Sequence, residues 1–506
     1  MTQARPGRLT IGSAVVLLAL SACGSTVSQS RSGTESNPLT VGDGGLGERP
    51  TAAGTTTQQA VGQLPAGGLT STTQNGSGGT GGGSANGGSN LPGDGQVAPS
   101  RAQVTTPIEI GLLVGPSSAS AQSALGSNKS AASGFGTDAT FKALVQYYNS
   151  HGGLGGRKIV PITYTANATD ASYDNDAQAA CATFTQDHHV AAVITTSGDF
   201  WSDNYASCLS RAHIPNLALS FATTDDVGFK SYPTTFATTA ISVDERLMVV
   251  VQEMIKTQHL RRGDQLGVIV EGCPFNVRAY TNTLVPLAKR EGLSLNRRDI
   301  NCVTGYSDAG TAIGQIQASV LPFETANVQK ILPIAGYETS VVDYFEKQAQ
   351  SQGYAPTYFV SSTSQMASQQ SNFTASALRR IFGTGWMPTT DVAVYAPDAT
   401  TRECRKILAS YGIVAQNRAD QYLVDGSCDP FRYLDAALRS TNGAADVGSL
   451  KTAIEGLGGR VPSSAMLGGT NGLSPRQHFA AVNVDAFSYV PNCTCFQYQH
   501  HPLQLS

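Results

Sequence analysis

Charge is scarce in this chain. Asp, Glu, Lys and Arg make up 14% of its 506 residues, and 33 basic against 36 acidic side chains leave a formal net charge of −3. The basic residues are scattered, which excludes a nucleic-acid footprint and favours a small partner over a polyanion. Also missing are a G-x-S-x-G elbow, an H-E-x-x-H helix and a Walker-type loop, so nothing marks an enzyme. His188-His189 and His500-His501 have no carboxylate at ligand spacing and read as surface or packing residues, and neither metal nor cofactor is expected. Tryptophan occurs twice: Trp201 is a candidate stacking residue in a loop, and Trp386 is assigned to packing.

No apolar run is long enough to span a bilayer. Leu9 to Leu20, preceded by Arg5 and Arg8, instead suits the core of an export signal. Leu20-Ser21-Ala22-Cys23-Gly24 resembles a bacterial lipobox, which implies removal of residues 1–22 and diacylation of Cys23. Residues 23–105 then read as a tether of Gly, Ser, Thr, Ala and Asn, too poor in large apolar side chains to offset the entropy of ordering. Roughly 80 such residues have a root-mean-square span of about 45 to 55 Å.

Eight cysteines remain after Cys23: Cys181, Cys208, Cys273, Cys302, Cys404, Cys428, Cys493 and Cys495. An even number in an exported chain points to disulfides. Local spacing alone suggests that each pairs with its neighbour in order, 181/208, 273/302, 404/428 and 493/495.

Thr106 to Tyr164 reads as one βαβ unit: an apolar run Ile108 to Val114, a Ser-rich loop, a helix carrying Phe141, Leu144, Val145 and Tyr148, and a second run ending at Tyr164. The alternation recurs through Val190 to Ile194 and Pro215 to Leu219, with loops at Thr195 to Trp201 and Ser220 to Thr224. A second series follows. Ser242-x-x-Glu245 is a capping box, and strands are expected at Gln265 to Val270, Gln329 to Ile334 and Tyr358 to Val360. Pro286 should kink its helix. Beyond about Thr374 the pattern is mixed: Phe382 to Val394 reads as a strand bent at Pro388, Pro430 to Ser440 as a helix and Phe479 to Tyr489 as strands. Without a third core, these pieces complete the earlier two sheets. The fold class is α/β, two lobes with parallel sheets and more than one crossing between them.

IEIGLLVGPSS, NSHGGLGGRKIVPITY, VAAVITTSGDF and HIPNLALSFAT, in that order, resemble the type I periplasmic binding proteins of the branched-chain amino acid and amide transporter class. The resemblance implies two Rossmann-like lobes around a three-segment hinge, one of residues 106–238 plus 366–430 and the other of 239–365 plus 431–506. It further implies capture of a small-molecule solute for an ABC transporter permease. In the first lobe it assigns ligand contact to Ser117, Ser118, Thr196, Ser197, Ser220, Ala222 and Thr224, hydroxyl and N–H donors suited to a carboxylate or amide. In the second it assigns Phe275, Tyr337 and Glu338 and the Ser361 to Gln365 loop. Relatives that bind amino acids often carry a carboxylate in the loop matching SSTSQ; here there is none, and Glu338, Glu271 and Asp199 are the available substitutes. The expected protein is a lipid-anchored solute-binding protein held to the membrane through Cys23. A ligand-sensing lipoprotein and, more remotely, an exported hydrolase are the alternatives.

Overall fold

The computed structural model describes residues 103–115, 133–166, 173–198, 201–220, 223–446, 448–500 and 502–505. Among them are two sheets. The first has the order β2-β1-β3-β4-β5 and is wholly parallel, with β1 Ile108–Val114, β2 Ile159–Thr165, β3 Ala192–Gly198, β4 Asn216–Ser220 and β5 Thr235–Ala237. β4 is buried along its whole length. Such continuous apolar runs form where helices cover both faces of a parallel sheet.

The second sheet runs β12-β11-β10-β9-β8-β6-β7. β6 Gln265–Glu271, β7 Ser294–Ile300, β8 Lys330–Ile334, β9 Thr357–Ser361 and β10 Ile381–Gly385 are parallel; β11 Asn483–Val490 and β12 Cys495–Tyr498 extend it antiparallel. Ser242 caps the helix Val243–Lys256 that opens this lobe, its hydroxyl accepting from the Glu245 N–H at 3.1 Å. Ahead of Pro286 the helix widens into a π-turn at Tyr280–Leu284, and it stops at Gly292 with φ of 70°. A proline removes one ladder donor, and the π-turn absorbs that loss.

The C-terminal part divides differently from the expected 366–430 and 431–506. β10 pairs with β9 and so belongs to the second sheet. A single helix, Arg418–Ser440, runs through the expected boundary with Pro430 inside it, and its Phe431, Leu434 and Leu438 join Ile108, Phe141 and Leu219 in the first lobe's core. Asn417 starts that helix, accepting from the Asp420 N–H at 2.9 Å. Proline suits a first turn, which is why the sequence places the start at Pro430. The helix lies so close on β4 that a Cβ at Gly426 would stand 2.4 Å from the Leu219 side chain. Residues onward to Ala481 pack on the first core, and the chain returns to the second sheet with β11.

The lobes are thus joined by three crossovers, after β5, after β10 and before β11. They are bonded to one another. The buried Trp386 indole donates to the Thr239 carbonyl at 3.0 Å, and Ala237 exchanges backbone bonds with His478 and Ala480. Disulfides join 181 to 208, 273 to 302, 404 to 428 and 493 to 495, as neighbour pairing expects.

Candidate functional site

The carboxyl ends of both parallel sheets meet, and ligands of open α/β sheets bind at such ends. Contacts cross here between the lobes. The Tyr173 N–H donates to the Thr304 carbonyl at 2.9 Å, and the Asp226 N–H to the Asp244 carboxylate at 2.8 Å. Tyr173 and Ala177 of the first lobe share an apolar cluster with Val303, Ala312 and Tyr337 of the second.

On the first-lobe side, Thr196 is buried at the end of β3, its hydroxyl within hydrogen-bond distance of Thr137 Oγ1 at 3.1 Å and of the Leu113 carbonyl at 3.2 Å. That hydroxyl ties β1, β3 and the start of the helix Thr137–Ser150 together. Ser220 is buried at the end of β4, and its N–H donates to Thr239 Oγ1 at 3.1 Å, linking the sheet to the first crossover. Thr224 is fully buried beside Asp225, its hydroxyl 3.4 Å from Oδ1. Trp201 donates its indole N–H to Asp203 at 2.8 Å and packs against the second lobe's cluster around Phe275. Ser117, Ser118, Ala222, Asp199, Cys23 and the whole of 1–102 lie outside the described residues, and of Ser197 only its place in β3 is described. Thr223 escaped the sequence reading: it is 5% exposed, and its hydroxyl has no hydrogen-bond partner among the described residues.

On the second-lobe side, Phe275 is buried in the core rather than standing at a surface. Glu338 sits 2% exposed at the start of the helix Glu338–Ser351. Its Oε2 accepts from the Ser361 N–H and hydroxyl, both at 2.8 Å, and its Oε1 faces Arg246 Nη1 at 3.3 Å. Glu271 ends β6, its oxygens taking the N–H groups of Val303 at 3.0 Å and Gly336 at 3.3 Å and the Asn276 amide at 3.0 Å. Burial pushes the Glu271 carboxyl up to about 7, against those hydrogen bonds and the charge of Arg246. Burial, Glu271 and Asp308 push the Tyr337 hydroxyl well up; it faces Glu271 without closing a hydrogen bond of good geometry. Cys273 and Cys302 flank Glu271, but their sulfurs are bonded to each other, which leaves no thiolate for a metal.

Arg246 is the residue that sequence reasoning missed. It is 3% exposed on the helix Val243–Lys256, where its Nη1 donates to the Ala335 carbonyl at 3.0 Å. Its Nε and Nη2, together with Asn276 Oδ1, are buried with no hydrogen-bond partner among the described residues. Each such group left unmet costs about 1 to 3 kcal/mol. One signal in the sequence points to it: Arg246 stands four residues before Val250 on the apolar face of that helix. The wall therefore presents unmet donors and acceptors beside carboxylates whose oxygens already have partners.

Two α/β lobes joined by three crossovers, with polar groups left unmet where their sheet ends meet, define a clamp for small solutes. The chain belongs to the periplasmic binding protein family, whose model matches residues 107–490. Solved structures agree in fold. A solute binding protein of an ABC transporter from Rhodopseudomonas palustris BisB5, in complex with 3,4-dihydroxybenzoic acid, is 12% identical with a TM-score of 0.55, covering 79% of this chain and 97% of its own. A branched-chain amino acid ABC transporter protein from Thermus thermophilus with bound valine is 12% identical with a TM-score of 0.56, covering 80% and 98%. A fatty acid ABC transporter substrate-binding protein from Thermomonospora curvata is 15% identical with a TM-score of 0.54, covering 80% and 94%. At these identities the likeness is one of fold. No curated protein matches the chain.

Proposed function

We propose that the chain is a lipid-anchored, extracytoplasmic solute-binding protein that closes its lobes over a small carboxylic acid, amide or amino acid and delivers it to an ABC importer permease. The observation that carries this reading is the junction itself. Contacts bridge the lobes there, and a donor-rich second-lobe wall meets a first-lobe loop bearing the unmet Thr223 hydroxyl. A solute touching both walls would favour the closed arrangement by its differential affinity for it. The relatives' ligands, an aromatic acid and an amino acid, both carry a carboxylate. Anchoring through Cys23 would leave the two lobes free to move on a tether of residues 23–105.

Mass spectrometry of small molecules released from natively purified protein tests the reading without a prior choice of solute. The expected result is a stoichiometric small acid or amide whose re-addition raises the melting temperature with its concentration. Neither a released molecule nor a shift with a broad panel of acids, amides and amino acids would sink it.

A further inference from the structure

We infer that Arg246 is a specificity-determining residue of the cleft and grips a carboxylate of the solute at the second lobe's wall; this rests on the solute-binding reading and names the class of its ligand. The guanidinium has two edges. Nη1 is engaged by the second lobe itself, donating to the Ala335 carbonyl at 3.0 Å and lying 3.3 Å from Glu338 Oε1. Nε and Nη2 form the other edge, and both are buried and unmet among the described residues. Arginine keeps its charge even when buried. The free edge is therefore a donor fork of fixed spacing and positive sign, and a planar anion with two acceptor oxygens, a carboxylate, matches it.

The neighbours exclude the other obvious groups. An ammonium would need a carboxylate oxygen facing it, yet Glu338 is engaged by Ser361 and Arg246, and Glu271 by Val303, Gly336 and Asn276. The guanidinium would also repel it. A phosphate dianion would bring two negative charges beside Glu338 against one guanidinium, because Arg278, a second cation at this junction, is committed to Asp225. A monocarboxylate adds one negative charge to the Arg246–Glu338 pair where the dianion adds two. Asn276 Oδ1, unmet on the residue that hydrogen-bonds Glu271, adds an acceptor suited to a hydroxyl or amide N–H elsewhere on the solute.

Matched acid and amide pairs test the inference by titration calorimetry on the full chain: 4-hydroxybenzoate with 4-hydroxybenzamide, hexanoate with hexanamide, and L-valine with L-valinamide. The wild type should bind the acid of at least one pair about tenfold or more tighter than its amide. Arg246→Gln should bring the two within about twofold of each other, and Arg246→Lys should keep part of the preference, since it retains charge but not the fork. Equal binding of acid and amide by the wild type, or a preference that survives in Arg246→Gln, overturns the inference and leaves the solute-binding reading standing. Should Arg246→Gln fail to fold, the wild-type ratio and Arg246→Lys decide. No binding by any probe and no molecule released from native protein would remove the solute-binding reading and the inference together.

Discussion

Arg278 of the second lobe holds Asp225 of the first through two parallel hydrogen bonds, Nε to Oδ2 at 2.7 Å and Nη2 to Oδ1 at 2.8 Å. Asp225 is 1% exposed and also caps the helix Asp226–Ser231 by accepting from the Gly228 N–H at 2.9 Å. The pair is a latch across the junction, and only its arginine is free of a second structural duty. Arg278→Ala should therefore weaken solute binding by about 1 to 3 kcal/mol, while each lobe stays folded. Arg278→Lys, which keeps the charge and loses the fork, should fall between. Calorimetry gives the affinity, and a larger radius of gyration by small-angle scattering should accompany its loss.

The Trp386 indole sets the hinge in a comparable way, since it sits on one crossover and donates to the Thr239 carbonyl on another. Trp386→Phe keeps most of the packing and deletes the bond. It should lower unfolding stability by about 1 to 3 kcal/mol in urea. Apparent affinity should drop as well, because a looser hinge populates the binding-competent arrangement less. Unchanged affinity alongside lowered stability would restrict Trp386 to the fold.

Much of this arrangement was legible in the sequence because it is local. Ile108 to Val114 announces a strand by its unbroken apolar run, Ser242 and Glu245 announce a helix start, and Gly292 its end. The disulfides follow chain order because each is local: three close steps of 24 to 29 residues, and 493/495 lies at the turn between β11 and β12. What escaped depends on residues distant in sequence. Arg246 takes its meaning from Ala335 and Glu338, and the latch from positions 53 residues apart. Pro430 misled by a sound local rule: the helix Arg418–Ser440 carries it in its interior because Phe431, Leu434 and Leu438 bury a continuous face. The absence of an acid in the SSTSQ loop was visible, but not that Glu338 is spent holding that loop.

Glu271 makes stability depend on pH. Its folded carboxyl is pushed up to about 7 from an ordinary 4.5 by burial. Between those values the folded state keeps a proton that the unfolded state has lost, so this group's contribution to stability falls as pH rises through the window, by roughly 3 kcal/mol in all. Asp391 and Glu245, also raised to about 7, act in the same direction. Urea unfolding at pH 5 and pH 8 should show a smaller difference for Glu271→Gln than for the wild type. The slope is the readout, because glutamine cannot accept all three hydrogen bonds and lowers stability at every pH.

Cys23 offers a test of anchoring independent of the cleft. In a bacterial host, Cys23→Ala should abolish metabolic labelling with palmitate and move the protein from the membrane fraction to the soluble one. The solute affinity of the purified lobes should not change, as the proposed tether role of residues 23–105 requires. Continued labelling would place the acyl chain elsewhere.

Thr223 and Thr224 separate a solute contact from a structural hydroxyl in adjacent positions. Thr223 Oγ1 is buried and unmet among the described residues, whereas Thr224 Oγ1 lies 3.4 Å from Asp225 Oδ1, at the base of the latch. Valine matches threonine in shape and lacks only the hydroxyl, both donor and acceptor. Thr223→Val should weaken binding by about 1 to 3 kcal/mol while sparing stability or raising it, because an unmet polar atom is removed from the unliganded protein. Thr224→Val should instead perturb Asp225 and reduce binding through closure, an effect that disappears once Arg278 is already alanine. A double-mutant cycle over Thr224 and Arg278, with Thr223→Val carried alongside, distinguishes the two: coupling between 224 and 278 with none between 223 and 278 assigns Thr223 to the solute and Thr224 to the latch.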